Sequence, residues 1–424
     1  MHYQDIILTD RDGAGLSETE LRGAAAAIAE ACEGRGRILA LPPDHTRLHS
    51  GAGMLTALLY NLLGDRMDIM PALGTHEPLT DAEINMFFGS DIPKERFLVH
   101  DWKNAVVTIG EVPRDYVREV SEGLMDEPID IAVNRALVSG EYGLVISIGQ
   151  VVPHEVAGMA NYTKNILVGV GGCDLINKSH YLGAVYGMER ILGRTDTPVR
   201  RIFDYAEEHL LAGIPLLYVL TVTTKAEDGV RIHGLFAGRS RSLFEEAARL
   251  SRRRNMNFLE KPIGKCVVYL DPAEFKSTWL GNKAVYRTRM AMADGGELVI
   301  LAPGLSKFGE DRENDRLIRK YGYAGREGTI RLVEENEDLR QNRSVAAQII
   351  HGSSEGRFTV TYCTACLSRE EVEGVGFGYM PYERAAALYD IRKLKNGWNT
   401  LESGEEIFFI DNPALGLWSL PMDD

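Results

Sequence analysis

Three short apolar runs, RILAL (37–41), MDIMPAL (67–73) and GLVISIG (143–149), each end in a polar loop. This repeat constrains the fold more than any other feature of the chain. Runs this short, bounded by turn-forming residues, read as strands rather than buried helices. Amphipathic helical stretches lie between them. Ser17-Glu-Thr-Glu20 has capping-box spacing and opens an alanine-rich helix through about Cys32. GMLTALLYNLL (53–63) reads as a helix, and Thr80 with Glu83 repeats the capping box. Strands alternating with helices predict an α/β fold. In open α/β sheets, ligands sit beyond the carboxyl ends of the strands. The loops PPDHTR (42–47), GTHEPLTDAE (74–83) and QVVPHEVAG (150–158) are therefore expected to converge in one crevice.

The pattern continues and then restarts. IPLLYVLTVTT (214–224) and VRIHGLFAG (230–238) read as strands, and SLFEEAARLSRRRN (242–255) as a helix. EKPIGK (260–265), with its proline, glycine and charges, reads as a linker. Beyond it, KCVVYL (265–270), GGELVILAPG (295–304) and RFTVTYC (357–363) are strand-like. FKSTWLGNKAVYRTRMAMA (275–293) and the stretches at about 311–321 and 328–350 are helix-like. A chain of 424 residues also exceeds one ordinary core. The expected architecture is two α/β domains with an active-site crevice between them. Residues 1–260 would form a catalytic and cofactor-binding domain, and 261–405 a smaller Rossmann-like unit closing the cleft. The apolar run IFFIDNPALGLWSL (407–420), within a C-terminal tail of about 406–424, is expected to dock back on the first domain.

Composition narrows the partners. A net charge of −14 argues against nucleic acid, which needs a basic face. The amino terminus lacks a signal-peptide pattern, and no stretch approaches the roughly 18 apolar residues of a membrane span. No nucleic acid, no membrane and a cytoplasmic location are the expectations. Cys32, Cys173, Cys266, Cys363 and Cys366 are sparse and odd in number, which does not suit a disulfide framework. Cys363-Thr-Ala-Cys366 has no second pair to complete a zinc site and reads as two packed thiols.

Of ten histidines, His2, His100, His209, His233 and His351 stand in ordinary surroundings. His45 and His49 lie in the first loop and read as structural or pocket-lining. His76, His154 and His180 each sit in a loop-like segment. One such histidine is more often a hydrogen-bonded structural group than a ligand; their interest is in combination. HEVAGMANYTKNILVGVGGCDLINKSH (154–180) carries two of them around a central Lys164 and a glycine cluster. There is no HExxH, no paired CxxC, no calcium loop and no GxSxG. GVGGC (169–173) is not GxGxxG and precedes no convincing cofactor helix. Asp44 and Arg47 read equally as a structural ion pair or as an anion site with a planar guanidinium fork. Lys164 reads as a surface lysine or as an amine held to bond a cofactor.

The ordered set PDHTR, GTHEPLT, PHEVAGMANYTKN and NKSHYLG resembles the nickel-pincer nucleotide-dependent lactate racemase family, across essentially the whole chain. The resemblance implies a pyridinium mononucleotide that carries nickel through its own carbon and sulfur atoms. It implies His180 as the protein ligand to nickel, and Lys164 as the lysine that can be joined to the cofactor. His76 and His154 match the two catalytic histidines. Asp44 and Arg47 match the pair that orients cofactor and substrate, and Gly171 and Gly172 would let the backbone approach the nucleotide. Lys283 of WLGNK (279–283) matches a substrate-contacting lysine, but Trp279 and Leu280 replace its usual tyrosine and glutamine surroundings. The implied substrate is therefore a 2-hydroxy acid, with lactate one of several. Maturation would need cofactor-synthesis proteins.

The implied reaction is racemisation or epimerisation through reversible hydride transfer from Cα, with a 2-keto acid intermediate. Cα–H beside a carboxylate is a very weak acid, so hydride removal avoids a carbanion, and side chains cannot accept hydride. Stereoinversion then calls for two acid/base groups, and histidine titrates near neutrality. Two other readings stand beside this one: a non-enzymatic protein that binds an anionic metabolite, and a conventional metal-dependent hydrolase or lyase using His76, His154 and His180 directly.

Overall fold

The computed structural model describes residues 5–226 and 229–421. His2 lies outside these. The described residues fall into two compact units. One is built from the chain up to Leu182 together with Ile191–Asn255, the other from Gly183–Arg190 together with the chain from Met256 onward.

The first unit is organised on a six-stranded sheet. Its order is Ile6–Thr9, Gly229–Gly238, Leu216–Ala226, Tyr142–Gln150, Arg37–Leu41, Met67–Ile69. The last four strands run parallel, and the first two add an antiparallel edge. The parallel strands are buried almost end to end, as strands covered on both faces are. Helices Glu18–Ala31 and Ala52–Leu63 supply Ile28, Leu55 and Leu59 to the core beneath Ile38, Ala40 and Ile146. Both capping boxes form as their spacing predicts. The Met67 strand is shorter than its apolar run. The pairing runs on beyond it as single bonds, Met70 N–H to Ala40 O and Ala72 N–H to Pro42 O, with Pro71 between them. A separate antiparallel ribbon, Val106–Val112 with Ile129–Asn134, stands outside the main sheet.

The second unit has its own six-stranded sheet, ordered Gly378–Pro381, Thr359–Thr364, Met292–Leu301, Ile263–Tyr269, Glu406–Ile410, Gly397–Thr400. All pairings but the last are parallel. The C-terminal apolar run, for which docking on the first domain is the expectation, supplies an inner strand here. Ile407, Phe408, Phe409 and Ile410 are all buried, which an inner parallel strand requires. Leu417–Ser419 pairs with Met256–Phe258 of the same unit.

Two expected helices are broken. The 275–293 stretch becomes Thr278–Gly281 and Lys283–Thr288, and its last residues enter the strand Met292–Leu301. The 328–350 stretch becomes Gly325–Glu335, Glu337–Gln341 and Arg343–His351. The breaks fall at Asn336 and Asn342, whose side-chain amides bond the carbonyls of Leu332 and Asp338 and compete with the helical backbone. No helix among the described residues is long and apolar enough to cross a membrane.

Candidate active site

The loops that follow the parallel strands of the first unit carry the candidate residues. Asp44 caps the 3-10 turn His45–Ser50, its Oδ1 accepting from the Thr46 amide at 3.1 Å. Its Oδ2 lies 2.5 Å from Nδ1 of His76. Asp44 is 5% exposed, whereas the His76 side chain is 63% exposed. Burial pushes the Asp44 carboxyl up. Hydrogen bonds from His76 and Thr46, with the charges of His76 and Arg47, outweigh it and hold the pKa below its ordinary value. Asp44 is thus ionised, so the His76 Nδ1–H donates to it and leaves the lone pair of neutral His76 on Nε2.

His154 is built the other way round. It lies in a two-residue strand paired with Gly158–Met159. Gly158 has φ +79, and a Cβ there would stand 2.1 Å from the Arg194 carbonyl oxygen, so only glycine closes this hairpin. The Val156 amide donates to Nδ1 of His154 at 3.1 Å. Burial, with the charges of Lys164, Arg47 and His180, pushes this imidazole well below its ordinary pKa against the opposing Glu155. Neutral His154 therefore carries its proton on Nε2. One histidine presents a lone pair at Nε2 and the other an N–H.

Lys164 sits in the short helix Thr163–Leu167. Burial first, then Arg47 and Arg200, push its amine down to about 8. The residues before it are strained: Asn161 and Tyr162 have φ of 63° and 57°, in the left-handed region that side chains disfavour. Arg200 holds them there. It is fully buried and donates to the Met159 carbonyl at 2.6 Å and Thr163 Oγ1 at 2.8 Å, with longer bonds to the Asn161 carbonyl. The Tyr162 ring stacks on Phe244 and its hydroxyl donates to the Arg239 carbonyl. Asn165 donates to the Leu41 carbonyl and to Ser147, tying the lysine turn to two neighbouring strands. Arg200 escapes sequence reasoning, because it lies in an ordinary amphipathic helix and finds its partners some forty residues upstream.

His180 lies on the helix Cys173–Tyr186, which begins directly after the glycine cluster. A helix thus does follow GVGGC directly, although Asp174, Asn177, Lys178 and Ser179 dilute its apolar period. Nδ1 of His180 donates to the Ile176 carbonyl at 2.6 Å. Burial and the Lys164 charge take its pKa down to about 4, so it is neutral with a lone pair at Nε2.

Gly171 and Gly172 are required by packing. A Cβ on Gly171 would stand 1.8 Å from the Leu167 carbonyl oxygen, and one on Gly172 would stand 2.8 Å from the Ala132 side chain. The cluster is tethered to its surroundings by Gly74 N–H to Gly169 O, Asn134 N–H to Val170 O and Gly172 N–H to Ala132 O. His100, assigned no role from sequence, is buried behind it. It accepts from the Asn134 amide at Nδ1 and donates from Nε2 to the Gly171 carbonyl.

Electrostatics link the chosen side chains. His154 senses Lys164, Arg47 and His180; Lys164 senses Arg47 and Asp44; Asp44 bonds His76. Lys283 stands in the second unit, at the start of the helix Lys283–Thr288, its Nζ 5.7 Å from the Phe275 ring centre. Among the described residues, no three His, Cys, Asp or Glu side chains gather as a metal-binding group.

Residues 21–190 match the family model of the lactate racemase N-terminal domain. A lactate racemase from Thermoanaerobacterium thermosaccharolyticum is 26% identical over 223 residues, which are 50% of this chain and 47% of that protein. The aligned stretch thus spans about half the length of this curated relative. Among solved structures, a protein from Thermotoga maritima superposes with a TM-score of 0.81 at 23% identity, covering 97% of this chain and 100% of that one. The lactate racemase apoprotein from T. thermosaccharolyticum superposes with a TM-score of 0.71 at 19% identity, covering 96% and 93%. The chain has the fold of these proteins, and the family that its loops resemble is the family whose domain model it matches.

Proposed function

We propose that this chain, whose residues 21–190 carry a lactate racemase N-terminal domain, is a racemase or epimerase of a 2-hydroxy acid that works with a nickel-pincer nucleotide. The observation that supports the reaction class best is the opposite tautomers of His76 and His154, set by Asp44 and by the Val156 amide. Inversion at a carbinol carbon needs one group ready to take the hydroxyl proton and another ready to give one. Nε2 of His76 is the lone pair that takes it. Asp44 keeps that imidazole oriented, as the aspartate of a catalytic triad does. His154, once it has taken a second proton from water and become imidazolium, returns the Nε2 proton to the oxygen of a planar 2-keto acid and is left a neutral imidazole. Burial disfavours that charged imidazolium, so once formed it releases the proton readily. Exchange with water then resets both rings. Arg47 is assigned to the substrate carboxylate, and Lys283 to the same substrate on the family pattern.

The donor chemistry of the first unit fits the cofactor. His180 offers one neutral nitrogen, with its other nitrogen bonded to a backbone carbonyl, which is how a metal-binding histidine is oriented. Lys164 offers an amine whose pKa of about 8 leaves an appreciable neutral fraction at physiological pH. A nucleotide that brings the remaining ligands itself asks no more of the chain. When bound, the group would take hydrogen from Cα and return it, which no side chain can do.

The test is protein co-expressed with cofactor-synthesis proteins, analysed by intact mass and metal content, then assayed on a panel of single-enantiomer 2-hydroxy acids by chiral chromatography. Nickel, an added nucleotide mass and conversion of one enantiomer to the other are expected. His180→Ala should lose nickel, and His76→Ala and His154→Ala should keep the cofactor but lose activity in both directions. No nickel and no added mass, beside a relative that matures in the same host, would reject the assignment in favour of a metabolite-binding protein.

A further inference from the structure

The second unit holds a polar cavity of about 680 Å³ that the reaction above does not use. Its walls come from Ala184–Glu189, Arg289, the start of the helix Gly325–Glu335 and the turn Ser353–Gly356, all within this unit. Arg289 is the most telling residue. It is 1% exposed yet lines the cavity. Its Nε donates to Glu189 at 2.8 Å, and its Nη1 reaches the Met188 sulfur and the Ser353 carbonyl. A guanidinium carries five N–H donors in a fixed planar fork, and the cavity that Arg289 lines leaves room for an acceptor beside it.

Two more cations line the same space. Arg326 and Arg331 lie on the helix Gly325–Glu335, and neither guanidinium is paired with a carboxylate among the described residues. Three glutamates are present, but two are already engaged. Glu189 is shared by Arg289 and Arg357, and both oxygens of Glu355 accept from the Arg326 amide at the helix start. Glu327 is the third, and it is exposed. The chain has thus already placed one carboxylate at this helix terminus, where the dipole favours negative charge. Three arginines around a cavity of this size suit a ligand with more than one negative charge and a polar body.

We infer that this cavity binds a phosphorylated small metabolite, its phosphate held by Arg289, Arg326 and Arg331. Pyrophosphate is the probe, since it carries the charge without committing to the organic part. In low-chloride buffer at pH 7, calorimetric titration of the full chain with pyrophosphate should show one site. Arg326→Ala combined with Arg331→Ala should weaken it at least tenfold, with an unchanged melting temperature. Arg289→Lys keeps the charge but loses the planar fork, and should also weaken binding. If that buried variant fails to fold, the double variant still decides. Arg47→Ala, in the first unit, should leave the affinity unchanged. Absence of binding, binding indifferent to Arg326 and Arg331, or binding lost in Arg47→Ala would overturn the assignment. Tighter binding of malonate than of pyrophosphate would overturn the phosphate class.

Discussion

Lys164 gives the sharpest quantitative prediction, and it needs neither substrate nor cofactor. Its amine is pushed from 10.5 down to about 8, by burial first and by Arg47 second. At pH 7 a group of pKa 8 is about 9% neutral and one of pKa 10.5 about 0.03%, so the reactive fraction rises roughly 300-fold. The test is carbamylation of the apoprotein by a trace of cyanate across pH 6–11, each lysine followed by peptide mass spectrometry. The Lys164 rate should level off above about pH 8, while an amine at the ordinary lysine value would continue to climb. Arg47→Met should move the inflection upward without restoring 10.5, because burial, the larger cause, remains. The sign for stability follows from the same shift. Between pH 8 and 10.5 the unfolded chain holds a proton that folded Lys164 has released, so this group makes stability rise with pH there, by at most about 3 kcal/mol. An inflection near 10, or one unmoved in Arg47→Met, would refute the account of this lysine.

Three further outcomes are expected. Asp44→Asn should keep the fold but cut racemisation by roughly 10²–10⁴-fold in kcat/KM, because an amide no longer fixes the His76 tautomer; a loss under tenfold in a chiral assay would contradict that role. Arg200→Met should cost about 3 kcal/mol in urea unfolding, since the Met159 and Asn161 carbonyls lose a charged donor. Adding Asn161→Gly to that variant should return up to about 1 kcal/mol, by removing left-handed strain that Arg200 no longer offsets. Gly171→Ala should destabilise by about 3 kcal/mol or prevent folding, because its methyl meets the Leu167 carbonyl; a melting temperature within a degree of wild type would show that the backbone there yields.

The alternation of short apolar runs with capped helices determined the α/β class, because strand burial on two faces and helix capping are local demands written into neighbouring residues. Both capping boxes, the parallel strands and the loops after them were legible for that reason. So was the order of the motifs from Asp44 to His180. Other features were decided only by tertiary structure. The C-terminal strand Glu406–Ile410 joined the second sheet because an inner parallel strand buries its apolar run completely, and no local pattern names its neighbours. Arg200 and His100 entered the site from distant segments, as clamps on a strained turn and a glycine loop. Their importance comes from the carbonyls that they meet, and those are brought together only by folding. The opposite tautomers of His76 and His154 belong here too. Residue type supplied two imidazoles; a carboxylate beside one and an amide beside the other decided which nitrogen of each carries the proton.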